Sequence, residues 1–147
     1  QTCALPIFNK VRKGEKVIIH SNTEKTEAGS RFYIHARDVA DAIHFLITNK
    51  PKSPHKIFNQ PMCPKFNIVG KEEIDNLTLA KMIAKAQNKE LDYEMVDFHS
   101  SRPGHDLRYA LSGDLMRSLG WEPKISLSQR IEEVTKWYLD NLRWLGE

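Results

Sequence analysis

Residues 31–47 read RFYIHARDVADAIHFLI, and this stretch decides the fold class of the chain. Its first part, Arg31–His35, is rich in aromatic and β-branched residues and predicts a short strand. Asp38 predicts a helix N-cap, because its carboxylate can accept hydrogen bonds from the first backbone amides of a helix. Four apolar residues then follow at the spacing of one helix face: Val39, Ile43, Leu46 and Ile47. A strand followed directly by a helix is the unit from which α/β folds are built.

Strand and helix signals continue to alternate along the rest of the chain. Further strands are predicted at Lys16–His20, Lys65–Val69 and Leu91–Phe98. The stretch Asn49–Pro64 contains four prolines and ends the first helix. Asn76 is a candidate cap of the next helix. The order predicts an α/β chain, but the strands are too few and too short for a complete doubly wound sheet.

The C-terminal helices carry clear local signals. Ser112–Leu119 predicts a short helix that ends at Gly120. Ser126 and Gln129 form an S-x-x-Q capping box. The apolar face that follows has the spacing of a helix: Leu127, Ile131, Val134 and Tyr138. Trp121, directly after Gly120, is predicted to pack in the core.

Composition limits the classes of protein to which the chain can belong. Its 147 residues correspond to one domain, and 40% of them are hydrophobic. No apolar run approaches the roughly 20 residues of a membrane span. The net charge is +3 with the basic residues scattered, so nothing predicts nucleic-acid binding. Cys3 and Cys63 are too few for a disulfide framework or a zinc site, which predicts free thiols and a cytoplasmic location.

The sequence contains none of the common catalytic or cofactor motifs. G-x-G-x-x-G and the P-loop are absent, so no glycine-rich turn is available for a phosphate group. G-x-S-x-G, H-E-x-x-H and paired C-x-x-C are absent as well. We therefore predict no catalytic residue, no cofactor-binding residue and no metal ligand within these 147 residues.

The N-terminus does not begin like a natural protein. Residues 1–7 read QTCALPI, and all seven match the translation of a common sequencing adapter. Residues that do not come from the natural gene carry no information about the fold of the natural protein. We expect residues 1–7 to be an artefact, and residues 8–147 to be the C-terminal part of a longer protein.

The most concentrated polar segment is SSRPGHDLRY, residues 100–109. Arg102, His105, Asp106 and Arg108 lie around a Pro-Gly turn. Two guanidinium groups and an imidazole can bind one anion, since arginine presents paired donors to phosphate oxygens. Asp106 could hold an arginine or the histidine in place. A solvated, charge-rich loop is the alternative interpretation.

Residues 102–123, RPGHDLRYALSGDLMRSLGWEP, followed by KWYLDN at 136–141, resemble the C-terminal signature of nucleotide-sugar 4,6-dehydratases. These enzymes belong to the extended short-chain dehydrogenase/reductase family. Residues 31–47 and 66–86 resemble two further segments of the same family, and the resemblance extends over about residues 8–145. The implied fold is α/β: the C-terminal substrate-binding lobe of an extended Rossmann fold, with only the last elements of the parallel sheet.

The resemblance also implies an activity for the full-length protein. It would be an NAD-dependent lyase that oxidises C4 of a nucleotide-linked hexose, eliminates water across C5–C6 and returns the hydride to C6. NAD and the catalytic groups would be bound by the missing N-terminal part, through which the protein would also form a homodimer. This chain alone would be inactive. A UDP-sugar epimerase or decarboxylase of the same family, or a stand-alone binding module without catalysis, are the alternatives.

Six residues would bind the substrate if the resemblance holds. Arg31 would contact the diphosphate, and Asn76 would donate or accept a hydrogen bond with the nucleotide. Arg102 and His105 would bind the diphosphate and nucleoside, while Ile18 and His20 would line the base pocket.

The sequence departs from the family pattern at three of its positions: Ser101 stands in place of an acidic residue, Leu107 in place of an arginine and His20 in place of an aromatic residue. These departures affect the choice of nucleotide more than the choice of family.

Overall fold

A computed structural model describes residues 4–52, 56–57, 60–61, 65–101 and 106–145. The helices are α1 (Ala4–Lys13), α2 (Ala36–Asn49), α3 (Asn76–Ala86), α4 (Phe98–Ser101), α5 (Asp114–Ser118) and α6 (Leu127–Asp140), followed by a 3-10 turn at Leu142–Leu145. The strands are β1 (Val17–Ser21), β2 (Ser30–Arg31), β3 (Lys56–Ile57), β4 (Gln60–Pro61), β5 (Ile74–Asp75), β6 (Tyr93–Asp97) and β7 (Arg108–Tyr109). The predicted α/β class is confirmed. Cys3 and Cys63 lie outside the described residues.

The main core lies between the parallel pair β1–β6 and the helices that cover it. The register runs from Val17 opposite Tyr93 to Ser21 opposite Asp97. Helices α1 and α3 pack on this pair, and α6 packs on α3. The core consists of apolar side chains from these elements: Ile7, Phe8, Val11, Val17, Ile19, Leu79, Ala80, Ile83 and Ala84. The strands predicted at 16–20 and 91–98 are thereby confirmed, within one or two residues at their ends.

A smaller sheet has the order β5-β2-β7. Strand β2 is antiparallel to β5 and parallel to β7, and each strand has two residues. The prediction of a strand over Arg31–His35 is therefore wrong beyond Arg31. The strand predicted at Lys65–Val69 is also wrong, because in the described part of the chain no strand pairs with it. Strand propensity alone does not form a strand, since the backbone also needs a neighbour in register.

Helix α2 forms where predicted, but with a different cap, and only part of the predicted apolar face is covered: Leu46 packs in the second cluster described below. His35 is the N-cap, and its Nδ1 accepts a hydrogen bond from the amide of Arg37 at 3.0 Å. Asp38 is not the cap: it is buried and forms a two-pronged ion pair with Arg130 of α6. Of the predicted apolar face, Ile43 is 48% exposed and Ile47 is 65% exposed.

The side of α2 that is buried belongs to a second cluster. Ala42, Met116 and Trp121 form its centre, with Phe66 and Ile68 packed against them. Trp121 is 5% exposed, as predicted, and its indole donates to Asp41 at 2.8 Å.

The C-terminal predictions are confirmed. Helix α5 lies within the predicted stretch 112–119, and Gly120 has a positive φ of 93°. The Ser126–Gln129 capping box is present at the start of α6. Among the described residues, no helix is both long and apolar enough to cross a membrane.

Candidate functional site

The candidate site lies where four elements meet around Gly29. The Gly29 amide donates to the His20 carbonyl at 3.1 Å, at the end of β1. The Gly29 carbonyl accepts from the amide of Asn76, at the start of α3, at 2.8 Å. The next amide, that of Ser30, donates to the Leu107 carbonyl at 3.1 Å, beside β7. A Cβ on Gly29 would lie 2.8 Å from that same carbonyl, so only glycine allows the strands to approach so closely.

Arg31 places a cation at this junction. Its Nη1 donates to the carbonyls of Ser30, at 2.7 Å, and of Leu107, at 3.1 Å. Its guanidinium lies over the ring of Tyr109, 4.4 Å from the centroid. No carboxylate forms an ion pair with Arg31 within the described ranges. A guanidinium whose charge is not neutralised, and whose direction is set by two carbonyls and a ring, is suited to binding an anion.

Asn76 is the first residue of α3 and is almost fully buried, at 2% exposure. Its Oδ1 accepts a hydrogen bond from the Tyr33 hydroxyl. The interpretation of Asn76 as the helix cap is wrong, because Asp75 accepts from the amides of Leu77 and Thr78 instead, both at 2.8 Å. Burial, the largest single influence, raises the pKa of Asp75, but the hydrogen bonds from the Thr78 hydroxyl and from these two amides together lower it. The nucleotide contact of Asn76 stays a prediction.

Ile18 and His20 share one face of β1, as alternation along a strand requires. The other face carries Val17, Ile19 and Ser21, which are buried. Ile18 is partly exposed, and the His20 ring meets the edge of Phe98 at a centroid distance of 5.6 Å. The structure therefore brings the two residues together, while their contact with a base stays a prediction.

Arg102 and His105 lie outside the described residues. The chain on either side of them is placed: α4 follows directly from the end of β6, and β7 pairs with β2. The described elements that flank residues 102–105 in the sequence therefore lie beside the strands that carry His20 and Arg31.

Arg108 is not available as a free cation, contrary to the cluster interpretation of residues 100–109. Its Nε and Nη2 donate to the two carboxylate oxygens of Glu73 at 2.7 and 2.8 Å. Glu73 also accepts from the Ser30 hydroxyl at 2.5 Å. The hydrogen bonds from Arg108 and Ser30 lower the pKa of Glu73, and Glu73 in turn raises the pKa of Arg108. Sequence reasoning missed Glu73, since a lysine, a second glutamate and an aspartate around it give the appearance of a solvated face.

A second charged cluster joins α2 to α6. Arg130 pairs with Asp38 and, at 2.7 Å, with Glu133. These carboxylates raise the pKa of Arg130, Asp38 being the larger influence. Burial and, next, the nearby Arg130 charge lower the pKa of His35. The charges of Asp38, Arg130 and Glu133 are paired with one another, so this cluster is a contact between α2 and α6 and not a candidate ligand site.

Comparisons with known proteins find relatives named dTDP-glucose 4,6-dehydratase, although no family model matches the chain. The dTDP-glucose 4,6-dehydratase of Salmonella typhimurium is 30% identical over 122 residues, which cover 79% of this chain and 31% of that protein. The dTDP-glucose 4,6-dehydratase 1 of Escherichia coli is 28% identical over 148 residues, which cover 97% of this chain and 34% of that protein. The chain thus spans about a third of the length of these relatives and matches their C-terminal part.

Solved structures show the same fold. The Bacillus anthracis dTDP-glucose 4,6-dehydratase, determined with NAD, gives a TM-score of 0.71 at 24% identity and covers 97% of this chain and 40% of that one. The Thermus thermophilus UDP-glucose 4-epimerase, also with NAD, gives 0.71 at 22% identity and covers 94% and 40%. At these identities the likeness establishes the fold: the C-terminal region of extended short-chain dehydrogenases/reductases.

Proposed function

This chain belongs to the nucleotide-sugar 4,6-dehydratase family, as a counterpart of its C-terminal part, and we propose that it binds the nucleotide diphosphate of dTDP-glucose or a similar sugar. In the full-length protein that sugar would lose water in an NAD-dependent lyase reaction. The contribution of these residues is recognition, because binding a remote nucleotide supplies energy that orients the sugar for the chemistry.

One observation carries the proposal: the Arg31 guanidinium has no carboxylate partner in the described part of the chain and lies against Tyr109 of β7. On the other side of β2, Arg31 is opposite Ile74 of β5, which directly precedes α3. A diphosphate needs fixed cations. The amino end of the eleven-residue helix α3 adds a favourable field for an anion nearby. Arg102 and His105 supply two further groups in this proposal, and Ile18, His20 and Asn76 contact the nucleoside.

The residues present do not fit the NAD cofactor. The chain has neither a G-x-G-x-x-G turn nor a Tyr-x-x-x-Lys pair. We therefore assign NAD, the catalytic groups and the homodimer contact to a part of the full-length protein upstream of the matched region, and derive no chemical step from this chain. A cytoplasmic location belongs to the same proposal.

The domain assignment is also part of the proposal: residues 8–147 form the substrate-binding part, and residues 1–7 derive from the adapter. In the structure α1 begins at Ala4, and Ile7 is buried beside Phe8. An apolar foreign residue that continues a helix can pack in this way, so the burial of Ile7 is compatible with either origin.

Calorimetric titration of the purified chain with dTDP tests the proposal. Arg31→Ala should weaken binding roughly 10- to 150-fold, since a hydrogen bond to a charged group contributes about 1.5–3 kcal/mol. Lys81→Ala is the matched control, because it also removes one positive charge, but from an exposed position on α3. Equal affinities of the two variants would refute the site.

The nucleotide is tested with the same wild-type chain. Tighter binding of dTDP than of UDP supports a dTDP-sugar substrate. Tighter binding of UDP would move the proposal to the UDP-sugar epimerases, whose fold is equally similar.

A further inference from the structure

We propose that Glu73 is a positioning residue, which holds β2 and β7 in register so that Arg31 and Tyr109 present one fixed cationic surface to the ligand. The inference rests on the proposed function, because the ligand in question is the diphosphate. Glu73 itself does not contact that ligand.

The first argument is geometric. Glu73 lies next to β5, and its carboxylate reaches both other strands of the small sheet. It accepts from Ser30 of β2 at 2.5 Å and, through both oxygens, from Arg108 of β7 at 2.7 and 2.8 Å. One side chain therefore connects all three strands.

The second argument concerns the two faces of the sheet. Ser30 is opposite Arg108, and Arg31 is opposite Tyr109. Successive residues of a strand point to opposite faces. The Glu73 contacts thus lie on one face, and the Arg31–Tyr109 pair lies on the other. Glu73 can fix the position of that pair without competing for its ligand.

The third argument concerns how little else holds the sheet. Strands β2 and β7 pair over only two residues, and both residues of β7 are exposed. So short a pairing is only marginally stable in water without side-chain support. A planar guanidinium bound through two nitrogens restrains both distance and orientation, which a single contact does not.

The fourth argument is electrostatic. Arg108 neutralises Glu73, so the carboxylate does not attract the Arg31 guanidinium and leaves that charge for the anion.

The test compares Glu73→Gln with Glu72→Gln, a matched control at the exposed neighbouring position. Three quantities are measured: dTDP affinity by calorimetry, the free energy of unfolding in urea, and exchange of the Ser30 amide by NMR without ligand. The Ser30 amide reports on the pairing because it donates to Leu107. The Asn76 amide, which donates to Gly29, is the internal reference.

We expect Glu73→Gln to accelerate Ser30 exchange and to weaken dTDP binding on the order of 10-fold, or about 1.4 kcal/mol. Arg108→Gln should weaken dTDP binding by a similar factor. The double variant should bind dTDP no more weakly than the weaker-binding single variant, because both substitutions remove the same ion pair. Should Glu73→Gln fail to fold, Ser30→Ala is the substitute, because it removes only the hydrogen bond from the Ser30 hydroxyl to Glu73. It should accelerate Ser30 exchange and weaken dTDP binding, each to a smaller extent.

Two results would overturn the inference. One is that Glu73→Gln and Glu72→Gln have the same Ser30 amide exchange rate and the same affinity for dTDP. The other is that it lowers stability but leaves dTDP affinity unchanged, which is the result of a merely structural role. If the wild-type chain does not bind dTDP at all, the proposed function fails, and the exchange comparison alone decides whether Glu73 holds β7.

Discussion

Two of the sheets in the described part of the chain, β1-β6 and β5-β2-β7, are stabilised by different interactions. The pair β1–β6 has five residues in register on each strand, and α1 and α3 cover it, so that Ile19 of β1 and Leu79 of α3 are fully buried. The sheet β5-β2-β7 has two residues on each strand and is connected by Glu73, Arg108 and Arg31. Buried apolar area stabilises the first sheet, while polar side chains restrain the second.

Because of this difference, we expect the β1–β6 region to contribute mainly to folding stability and the small sheet to contribute mainly to ligand binding. Burial contributes roughly 25 cal/mol per Å², and the helices around β1 provide it. Exposed ion pairs contribute only about 0–1 kcal/mol to stability, but they set positions and orientations. We therefore expect changes in the first region to reduce folding stability, and changes in the second to reduce ligand binding.

The largest effect is expected for Leu79→Ala, in the centre of the main core. The residue is fully buried, and such a truncation costs about 2–5 kcal/mol because it removes contacts and leaves a cavity. Urea unfolding measures the loss. Leu111→Ala, at a position that is 59% exposed, is the control and should change stability little. A loss below 1 kcal/mol for Leu79→Ala would mean that the β1–β6 region is not the stable part.

The next effect is expected for Arg102→Ala, measured as dTDP affinity. Loss of a charge-assisted hydrogen bond should weaken binding by about 1.5–3 kcal/mol, roughly 10- to 150-fold, with little change in unfolding free energy. Arg102→Lys should restore binding only in part, because one ammonium cannot replace a planar fork. Unchanged affinity would make Arg102 a surface charge outside the site.

A smaller effect is expected from pH, and it differs between the regions. The folded state lowers the pKa of His35 from its ordinary value of 6.5, chiefly by burial. The neutral imidazole, which accepts the bond from Arg37, is therefore the form that folding favours. This contribution is present above pH 6.5 and is lost as pH falls below it toward the lowered value.

The Glu73 carboxylate affects folding stability over a different, lower range of pH. Its pKa is lowered from 4.5, so its contribution is present above that pH and is lost as pH falls further. Urea midpoints measured from pH 8 down to pH 3 cover the onset of both losses. His35→Asn keeps a capping side chain without a titrating group and should flatten the slope just below pH 6.5. His44→Gln, at an exposed position of the same helix, is the control. Identical slopes in wild type and His35→Asn would refute the assignment.

The smallest effect on folding stability is expected for substitutions of Ile43 and Ile47, two apolar side chains of α2 that are exposed. Exposed apolar patches promote association. The double substitution to Ser should leave the unfolding free energy nearly unchanged and reduce concentration-dependent association in sedimentation velocity. A wild-type chain that stays monomeric at high concentration would contradict this.

Features that depend on neighbours in sequence were predictable from the sequence. The Ser126–Gln129 box and the turn at Gly120 arise from local hydrogen bonding and from the conformational freedom of glycine. The strand near 16–20 combined β-branched residues with a boundary at Gly14, and the strand near 91–98 combined strand propensity with partial alternation. The resemblance of residues 102–123 then indicated the family, because those residues are specific to it.

Features that depend on distant partners were decided by tertiary structure alone. Asp38 could cap a helix or pair with a cation, and Arg130, 92 residues away, determines that it pairs. Residues 31–35 and 65–69 have strand propensity, but only Arg31 among them has a strand beside it in the described chain. Glu73 carries no local signal, because its role arises only when Ser30 and Arg108 meet it. A hydrogen bond or an ion pair needs both partners, and no pattern at one position specifies which distant residue will be the other.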